Sequence, residues 1–299
     1  MQDRTTANNL TAKSNGERVS AGVLYVVATP IGNSGDVSAR AIETLSAVDL
    51  VACEDTRRTG ALLAAHRIRT PMLSYFEHNE DRRIPEIIER LRNSERVALV
   101  TDAGTPAISD PGFRLVRAAH HEAIEVRAVP GASAIIAALS IAGIPTDRFA
   151  FEGFLPARPG ALRAALEALR AEPRTMVFYE AARRLGETLT AMGEFFGPDR
   201  EAAVVREITK IYEESIRGTL GELAARYTTD TALGELTLVV AGASETVVVS
   251  RAGAITVEML VEAGLSVRDA SAIIARAEGS SRREVYQRAL RARDEKTRT

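Results

Sequence analysis

The stretch VLYVVATPIGN, residues 23–33, indicates the fold of this chain. Its first six residues are an apolar, β-branched run, which is typical of a buried strand, and Thr29-Pro30 ends that run. Turn-forming residues follow, and apolar residues at helical spacing predict a helix from Ser38 to about Val48. A buried strand, a loop and a helix form the repeating unit of an α/β fold, so further copies are expected along the chain.

The same alternation continues through the first half of the chain. Further strands are predicted over 49–53, 96–101 and 124–129, and helices near 60–67, 84–92 and 113–120. This alternation predicts a mostly parallel sheet covered by helices. Loops that follow parallel strands lie at one edge of the sheet, where ligands bind. The loops at 29–33, 54–57, 102–106 and 130–133 all follow predicted strands, so we expect them to meet there.

Length and composition divide the rest of the chain. With 299 residues, two domains of about 150 residues each are expected. We predict a flexible tail over 1–21, an N-terminal α/β domain over 22–146, a second α/β domain over 147–242, a linker over 243–254 and a C-terminal helical unit over 255–299. In that unit, Ser266-Val-Arg-Asp269 and Ser281-Arg-Arg-Glu284 both match a helix N-cap box, and Gly279 lies between them. Two helices joined by such a turn resemble a helix-turn-helix unit.

The charges are balanced overall but segregated along the chain. There are 38 basic and 40 acidic residues, for a net charge of −2, which argues against a uniformly basic nucleic-acid binder. Residues 266–299, however, contain nine cations and five acids. This part of the chain therefore carries a net charge of +4, and the remaining 265 residues carry −6.

Lysine is rare in this chain, which makes Lys210 informative. Only Lys13, Lys210 and Lys296 are lysines, while the chain has 35 arginines. Arginine cannot give up its proton in a protein, whereas a buried lysine can have a lowered pKa and act as a base. In Glu207-Ile-Thr-Lys210 we therefore identify a candidate catalytic pair, and chance remains the alternative explanation.

Several classes of site are disfavoured. The single cysteine, Cys53, excludes an internal disulfide, the four histidines show no metal-binding spacing, and no metal is expected. The uncharged stretch 128–146 is bracketed by Pro and Gly, which suits a buried helix better than a membrane span. Neither a dinucleotide-binding Gly motif, a P-loop nor a nucleophile elbow occurs. A reducing cytoplasm is the expected compartment, with no membrane partner.

Eight short motifs occur in an order that identifies a family. They are Thr29-Pro-Ile-Gly-Asn33, Glu54-Asp-Thr-Arg57, His78-Asn-Glu80, Asp102-Ala-Gly-Thr-Pro106, Asp110-Pro-Gly112, Glu152-Gly-Phe-Leu-Pro156, Phe178-Tyr-Glu180 and Glu207-Ile-Thr-Lys210. Each motif alone is weak, but together, over about 22–292, they closely resemble the ribosomal RNA small subunit methyltransferase I family of the tetrapyrrole methylase superfamily.

The resemblance implies a fold, a reaction and a partner. It implies two α/β domains with S-adenosylmethionine in the interdomain cleft, followed by the helical unit. The reaction would transfer a methyl group to the ribose 2′-oxygen of a cytidine in the decoding region of 16S rRNA. The substrate would be the assembled small ribosomal subunit, and the enzyme would be a homodimer.

The resemblance and the loop positions together suggest roles for particular residues. The catalytic candidates are Lys210, as a base or an oxyanion stabiliser, and Glu207, which would orient it. The cofactor-binding candidates are Thr29, Pro30, Gly32, Asn33, Asp102, Ala103, Gly104, Thr105, Pro106, Pro130, Gly131, Ala132 and Ser133. The substrate-binding candidates are Glu54, Asp55, Arg57, Glu180, Arg184, Arg282, Arg283, Arg288 and Arg291.

The sequence departs from the family pattern in two places. Where the family often has Tyr-Glu-Ser-Pro-His-Arg-Leu, residues 179–185 read Tyr-Glu-Ala-Ala-Arg-Arg-Leu, so a histidine role there is not expected. In place of the family's usual Pro-Gly-Pro turn, this chain has Pro130-Gly-Ala132.

Two of the loops also have simpler explanations. The loop at 54–57 can be a surface ion-pair cluster, and the loop at 102–106 can be a tight turn. A tetrapyrrole methyltransferase and a non-catalytic ribosome-assembly factor are the rival functions.

Overall fold

The structure is a computed structural model that describes residues 22–229, 234–243, 256–262, 264–278, 281–283 and 285–287. The predicted tail at 1–21, nearly all of the predicted linker at 243–254, and Arg288 and Arg291 lie outside the described residues. Two compact units are present, one formed by 22–170 and 174–241 and the other by 171–173 and the described residues from 242 onward. The predicted boundary at 146/147 lies within the first unit and stays a prediction.

A parallel five-stranded sheet begins the first unit. Its strands are β1 (Val23–Val27), β2 (Leu50–Cys53), β3 (Met72–Ser74), β4 (Arg96–Val100) and β5 (Glu125–Val129). The order across the sheet is β3-β2-β4-β1-β5, and every pairing is parallel. The mostly parallel sheet predicted for this part is thus confirmed, and the loops after β1, β2, β4 and β5 leave the same edge.

Helices cover both faces of this sheet. They are α1 (Ala39–Ala47), α2 (Thr56–Ala65), α3 (Glu80–Arg92) and α4 (Phe113–His121). Ser38 caps α1 by accepting the N–H of Ala41 at 3.1 Å, as expected for a serine at that position. Apolar side chains of α1 and α2 pack on one face of the sheet, and those of α3 and α4 pack on the other. The site loops therefore emerge from a sheet that is buried on both sides.

The second sheet is mixed rather than parallel. Its strands are β6 (Phe149–Phe154), β7 (Thr175–Ala181), β8 (Glu201–Arg206), β9 (Glu214–Thr219) and β10 (Glu235–Val240), in the order β6-β7-β10-β8-β9. Only β6 and β7 pair in parallel, and the pairings β7-β10, β10-β8 and β8-β9 are antiparallel. Because β8 and β9 form a hairpin, their connecting loop at 207–213 is held at one end of the sheet.

The helices of the second sheet include one that follows the first sheet in sequence. They are α5 (Ala134–Ala142), α6 (Pro159–Leu169), α7 (Leu185–Phe196) and α8 (Leu220–Thr229). The predicted uncharged helix is α5, and its Ile135, Ala138 and Leu139 pack against Val177, Val205 and Val239 of the second sheet. α5 therefore follows the first sheet in sequence but packs on the second, and the two sheets belong to one compact unit. The apolar patterns of this part of the sequence predict strands over 149–154, 175–180, 201–210 and 235–242 and helices over 161–170 and 183–196, but they do not predict β9 or α8.

The second unit contains the helices α9 (Val257–Glu262) and α10 (Val267–Glu278), and residues 282–283 and 285–287 are also helical. Ser266 begins α10, accepting the N–H of Asp269 at 3.1 Å, which matches the predicted N-cap box. Val257, Ala270, Ile274, Ala275 and Val285 form its small apolar core.

Candidate active site

The loops that follow the parallel strands meet at the carboxyl edge of the first sheet. Thr29 and Gly104 exchange two backbone hydrogen bonds of 2.9 and 3.1 Å. The carboxylate of Asp102 accepts the N–H of Asp55 at 3.0 Å, and Thr105 Oγ1 lies 3.5 Å from the carbonyl oxygen of Ala132. Residues of all four predicted loops are therefore in contact, although they are far apart in sequence.

A cavity of 840 Å³ opens between these loops and the second sheet, and we call it the larger cavity. Gly104, Thr105 and Ser133 line it from the first sheet, and Tyr179 and Leu236 line it from the second. Gly104 has φ of +79°, a conformation that glycine adopts without the penalty of a side chain. Mostly apolar walls with a few polar groups are typical of small-molecule sites of this size.

Acidic groups next to the larger cavity have raised pKa values. Burial, together with the nearby charges of Glu54 and Asp102, raises the pKa of Asp110 to about 6. Burial and the charge of Asp102 also raise the pKa of Glu54. Tyr179, which lines the same cavity, has its pKa raised to about 12 by burial and by Asp110. Such carboxyls, partly withdrawn from water and crowded by like charge, favour a cationic ligand nearby.

A second cavity of 310 Å³, the smaller cavity, adjoins the first and shares Ile31, Ala103 and Glu235 with it. It is more polar than the larger cavity, and Arg58 and Lys210 line it. Thr29, Pro30, Gly32, Asp102 and Ala103 of the predicted cofactor set also line it. The two cavities could hold two reactants side by side.

Lys210 lies between two carboxylates at the smaller cavity. Its Nζ is 3.0 Å from Glu207 Oε1 and 3.1 Å from Glu235 Oε2. The N–H of Glu235 donates to Glu207 Oε1 at 3.0 Å, and this bond and the Lys210 ammonium lower the pKa of Glu207. The pairing of Lys210 with Glu207 suits the orienting role predicted for Glu207.

The charge state of Lys210 differs from the expectation for a base. Burial alone would lower the pKa of Lys210, but its bonds to Glu207 and Glu235 outweigh burial and raise that pKa. The side chain is 29% exposed, so desolvation is incomplete. The lowered pKa that would help Lys210 to act as a base is therefore not found in this structure. Of the two roles considered, the positive charge favours oxyanion stabilisation.

The remaining cofactor candidates support the loops rather than line the cavities. Asn33 accepts the N–H of Gly35 and so begins a short 3₁₀ turn. Gly131 lies so close to Ala28 that a Cβ there would be 3.1 Å from the Ala28 Cβ. Pro106, Pro130 and Ala132 are likewise absent from both cavity walls, though the Ala132 carbonyl faces Thr105.

The predicted substrate contacts at 54–57 form an ion-pair cluster. Asp55 caps α2 through the N–H of Arg57 and also pairs with the Arg57 guanidinium at 2.7 Å. Hydrogen bonds from the side chain and the backbone of Arg57 lower the pKa of Asp55 to about 2. Arg57 itself is 89% exposed, so it is free to exchange that surface partner for a phosphate.

Glu180 and Arg184 are engaged within the protein. The Glu180 side chain is fully buried, 3.5 Å from Arg184, and it accepts the hydroxyl of Thr188 at 2.6 Å. Arg184 donates to the carbonyl oxygens of Leu155 and Pro156 at 3.1 and 2.9 Å. These contacts indicate that the pair positions the start of α7, and they leave little for a substrate.

In the second unit, Arg282 and Arg283 are exposed. Arg282 makes one long hydrogen bond, 3.4 Å, to the carbonyl oxygen of Arg268. Two exposed guanidinium groups next to each other are suited to phosphate contacts.

Four charged residues that line the cavities were not among the candidates: Arg58, Asp110, Arg183 and Glu235. Arg58 pairs with Asp102 at 3.4 Å, Asp110 lines the larger cavity, and Glu235 holds Lys210. Asp110 belongs to a quoted motif and Arg58 directly follows one, so proximity in sequence could have identified them. Glu235 is 25 positions from Lys210 and carries no local signal.

Two features are absent from the described residues. No group of three or more His, Cys, Asp or Glu side chains there could hold a metal ion. No helix within that part of the chain has the length and apolar character needed to cross a membrane.

Comparison with family models gives two matches. Residues 23–224 match the tetrapyrrole (corrin/porphyrin) methylases, and residues 254–293 match the RsmI C-terminal HTH domain. Together these matches include the first sheet, the second sheet except β10, and the helical unit.

Curated relatives are similar over most of the chain. A protein of Synechocystis is 50% identical over 223 residues, 75% of this chain and 80% of that protein. Proteins of Xylella fastidiosa and Pseudomonas aeruginosa are each 46% identical, over 89% and 91% of this chain and 98% of their own lengths. All three are named ribosomal RNA small subunit methyltransferase I.

Solved structures share the fold at low identity. A cobalt precorrin-4 methyltransferase of cobalamin biosynthesis matches with a TM-score of 0.55 and 17% identity, covering 76% of this chain and 98% of that one. A uroporphyrin-III C-methyltransferase from Thermus thermophilus, complexed with S-adenyl homocysteine, matches with a TM-score of 0.51 and 19% identity, covering 76% and 99%.

Proposed function

The chain belongs to the tetrapyrrole (corrin/porphyrin) methylases, and we propose that it methylates the ribosomal RNA of the small ribosomal subunit on the ribose 2′-oxygen of a cytidine in the decoding region. Family membership confirms the predicted fold, the methyltransferase class and the cofactor, S-adenosylmethionine. The observation that carries the proposal is the pair of adjoining cavities with Lys210 at the smaller one.

The larger cavity fits the cofactor. Its volume of 840 Å³ lies within the range of about 300–1,000 Å³ that is typical of small-molecule sites. Gly104 allows close approach of the backbone, and Asp110 and its acidic neighbours favour a cation there. Thr105 and Ser133 would supply hydrogen-bonding groups, and Ala103 would form part of the shared wall. When bound, the cofactor supplies an electrophilic methyl group and a neutral thioether leaving group.

The smaller cavity would receive the ribose. A 2′-hydroxyl is a weak acid, and it must release its proton to solvent water as its oxygen bonds to the methyl group and the bond from methyl to sulfur breaks. A positive charge close to the oxygen stabilises the negative charge that develops there in the transition state. Lys210 provides that charge, and Glu207 and Glu235 keep it protonated and fix its position. Holding the ribose against one wall and the cofactor against the other would align the reacting atoms, which contributes much of the acceleration in such reactions.

The names of the relatives and exposed cations in both units support RNA as the proposed partner. The relatives at 46–50% identity are named for the small-subunit RNA, and Arg57, Arg282 and Arg283 are exposed cations. Contacts to phosphates make binding weaken with salt, with a slope of about one logarithmic unit per contact. Replacing Arg282 and Arg283 together by Gln should therefore flatten the dependence of subunit binding on salt, while binding at high salt changes less.

We extend the proposal to assembly and compartment. Ile108, Phe149 and Phe154 are exposed apolar side chains at the larger cavity, which favours a homodimer, since large exposed apolar patches mark interfaces. Sedimentation of the purified protein tests this. Action on ribosomal RNA implies a cytoplasmic location.

The decisive experiment supplies labelled S-adenosylmethionine with unmethylated small subunits, free 16S rRNA or a tetrapyrrole, and then maps the label. We expect label on a cytidine ribose of the assembled subunit. Transfer to the tetrapyrrole alone would support the rival methyltransferase, and binding to subunits without transfer would support an assembly factor.

Two variants separate the roles of Lys210. Lys210→Met should lower kcat by about 10²–10³-fold, as expected for loss of an oxyanion-stabilising group. Lys210→Arg keeps the positive charge and should retain measurably more activity than Lys210→Met. Equal loss in the two variants would instead support a base role.

A second pair of variants tests the cofactor cavity. Gly104→Val places a branched side chain at a positive φ and should abolish cofactor binding in calorimetry while leaving the circular dichroism spectrum unchanged. Gly160→Ala is the control, because nothing lies within 4 Å of a Cβ there. Normal cofactor affinity in Gly104→Val would contradict the assignment.

A further inference from the structure

Two apolar side chains directly after Lys210 are unusually exposed. Ile211 is 94% exposed and Tyr212 is 74% exposed, which makes them the most exposed large hydrophobic residues in the described part of the chain. Single exposed apolar residues are common, but two adjoining ones beside a cavity residue mark a surface that is covered in a complex.

The loop that carries them is held in one conformation. The N–H of Lys210 donates to the carbonyl oxygen of Glu207 at 2.9 Å, and that of Glu213 donates to the Lys210 carbonyl at 3.1 Å. Thr209 N–H donates to Glu213 Oε2 at 2.5 Å. The loop is therefore closed on itself by backbone and side-chain bonds, and it connects the paired strands β8 and β9.

The backbone of this loop is also strained. Glu207 and Thr209 have positive φ values of 50° and 67°, although neither is glycine. Strain of this kind persists only where the surrounding structure enforces it, and it concentrates at functional sites. Ile208 is 8% exposed and anchors the loop in the core against α5. The outward direction of Ile211 and Tyr212 is thus imposed by the fold.

The position of the pair limits what can cover it. Lys210 and Arg58 line the smaller cavity, where the proposed function places the ribose of the RNA. Ile211 and Tyr212 directly follow Lys210 in the chain and are exposed, so a base that extends out of the cavity beside Lys210 has these two side chains as its nearest apolar neighbours in the sequence. Unpaired RNA bases are commonly recognised by stacking on aromatic side chains.

We propose that Tyr212, with Ile211 beside it, is a stacking platform for an unpaired base of the RNA strand whose ribose lies at Lys210. This inference rests on the proposed function and adds a recognition surface to it. The platform is uncharged, so it would add affinity and register without adding to the salt dependence that the arginines produce.

The test compares Tyr212→Ala, Ile211→Ala and Tyr212→Phe in full-length protein with unmethylated small subunits. Stacking of a base on an aromatic ring contributes about 1–3 kcal/mol, so KM for the subunit should rise about 5–150-fold in Tyr212→Ala. Tyr212→Phe keeps the ring and should stay close to the wild type. The kcat at saturating subunit, the cofactor affinity and the salt dependence should not change.

Ile141→Ala is the matched control, because Ile141 is 45% exposed on α5 and lies in neither cavity wall. An unchanged KM in Tyr212→Ala, or an equal loss in Tyr212→Phe and Tyr212→Ala, would overturn the stacking role. A changed sedimentation coefficient in Tyr212→Ala would also overturn it and would show that a second copy of the chain covers the pair.

The wild type separates this inference from the proposed function. If wild-type protein fails to methylate the subunits, the proposed function falls and this inference falls with it. If the wild type is active and the Tyr212 variants behave like it, only the stacking platform is wrong.

Discussion

Gly32 lies directly against the side chain of Lys210: a Cβ at position 32 would be 2.6 Å from Lys210 Cγ and 2.8 Å from Lys210 Cε. Gly32 belongs to the loop after β1, and Lys210 belongs to the hairpin of the second sheet. The contact therefore brings the first loop of one sheet against the only lysine in the described part of the chain. A side chain at position 32 would displace Lys210 from the smaller cavity.

Gly32→Ala is expected to reduce catalysis without reducing cofactor binding. The added methyl group must move Lys210, and displacements of about 1 Å can cost about 10²-fold in rate. We expect kcat on small subunits to fall at least about tenfold, as measured in single-turnover assays. Gly193→Ala on α7 is the control, because a Cβ there meets nothing within 4 Å. A normal kcat in Gly32→Ala would mean that the position of Lys210 is unimportant.

Glu235→Gln is expected to shift the alkaline limb of the pH–rate profile. The Glu235 carboxylate is one of two that raise the pKa of Lys210, so a neutral amide lowers that pKa. If protonated Lys210 is the active form, kcat should begin to fall at a lower pH in the variant than in the wild type. Glu201→Gln is the control. It removes a distant ion pair with Arg217 and should not shift the alkaline limb of the profile. A shift towards higher pH in Glu235→Gln would contradict the oxyanion role.

Asp110→Asn is expected to stabilise the fold near neutral pH. The folded-state pKa of Asp110 is raised to about 6 from the usual 3.8, so the folded state binds this proton more tightly than the unfolded state. Stability is therefore lost as pH rises from about 4 to about 6, and the full loss persists above that range. Because the group is partly exposed, we expect a gain of about 1–2 kcal/mol in the variant.

Urea unfolding at pH 7.5 and pH 3.5 checks the stability prediction for Asp110→Asn. The gain should be present at pH 7.5 and absent at pH 3.5, where Asp110 is protonated in both states. A gain of the same size at both pH values would show that the carboxylate charge is not its source.

Asp110→Asn should also change the affinity of the larger cavity for the cofactor relative to its affinity for the product. The carboxylate lines the larger cavity, and a negative charge there favours the sulfonium cation of S-adenosylmethionine over the neutral thioether of S-adenosylhomocysteine. Calorimetry at pH 7.5 should show a larger loss of affinity for the cation than for the thioether. Equal losses for the two ligands would indicate a structural effect on the cavity.

Arg184→Ala is expected to destabilise the first unit. The variant leaves the Glu180 carboxylate fully buried without the guanidinium that lies 3.5 Å from it. Removing one partner of a buried pair costs about 3–5 kcal/mol, and a value near the lower end is expected because Arg184 is partly exposed. Urea unfolding measures the loss, and Arg183→Ala at an exposed neighbour should change stability little. If Arg184 binds substrate directly, KM would rise while stability stays unchanged.

Much of the fold was accessible from local patterns in the chain. The apolar runs at β1, β2 and β4 and the turn residues after them predicted a parallel sheet and the meeting of its loops. Those signals are local, because a strand buried on both faces must be apolar throughout and a turn needs Gly, Pro, Asp or Thr at set positions. The hairpin strand β9 and helix α8 escaped prediction, since their half-exposed residues lack such continuous runs.

The candidate site could be predicted from the sequence only in part, because some of its contacts join residues that are far apart in the chain. Gly104, Thr105 and Ser133 follow strands, so their place at the sheet edge could be inferred. Glu235 reaches Lys210 only because β10 pairs with both β7 and β8, and no spacing in the chain encodes that contact.

The sequence by itself therefore determined the family, the parallel sheet and the identity of the loops at its edge, because each depends on short runs of residues. Only the tertiary structure decided that Lys210 is held between two carboxylates, that Asp110 shares a crowded acidic environment, and that Glu180 and Arg184 are committed to each other. Charge state depends on burial and on neighbours brought from distant parts of the chain. The lysine that scarcity in the sequence singled out thus remains the central candidate, but as a fixed positive charge.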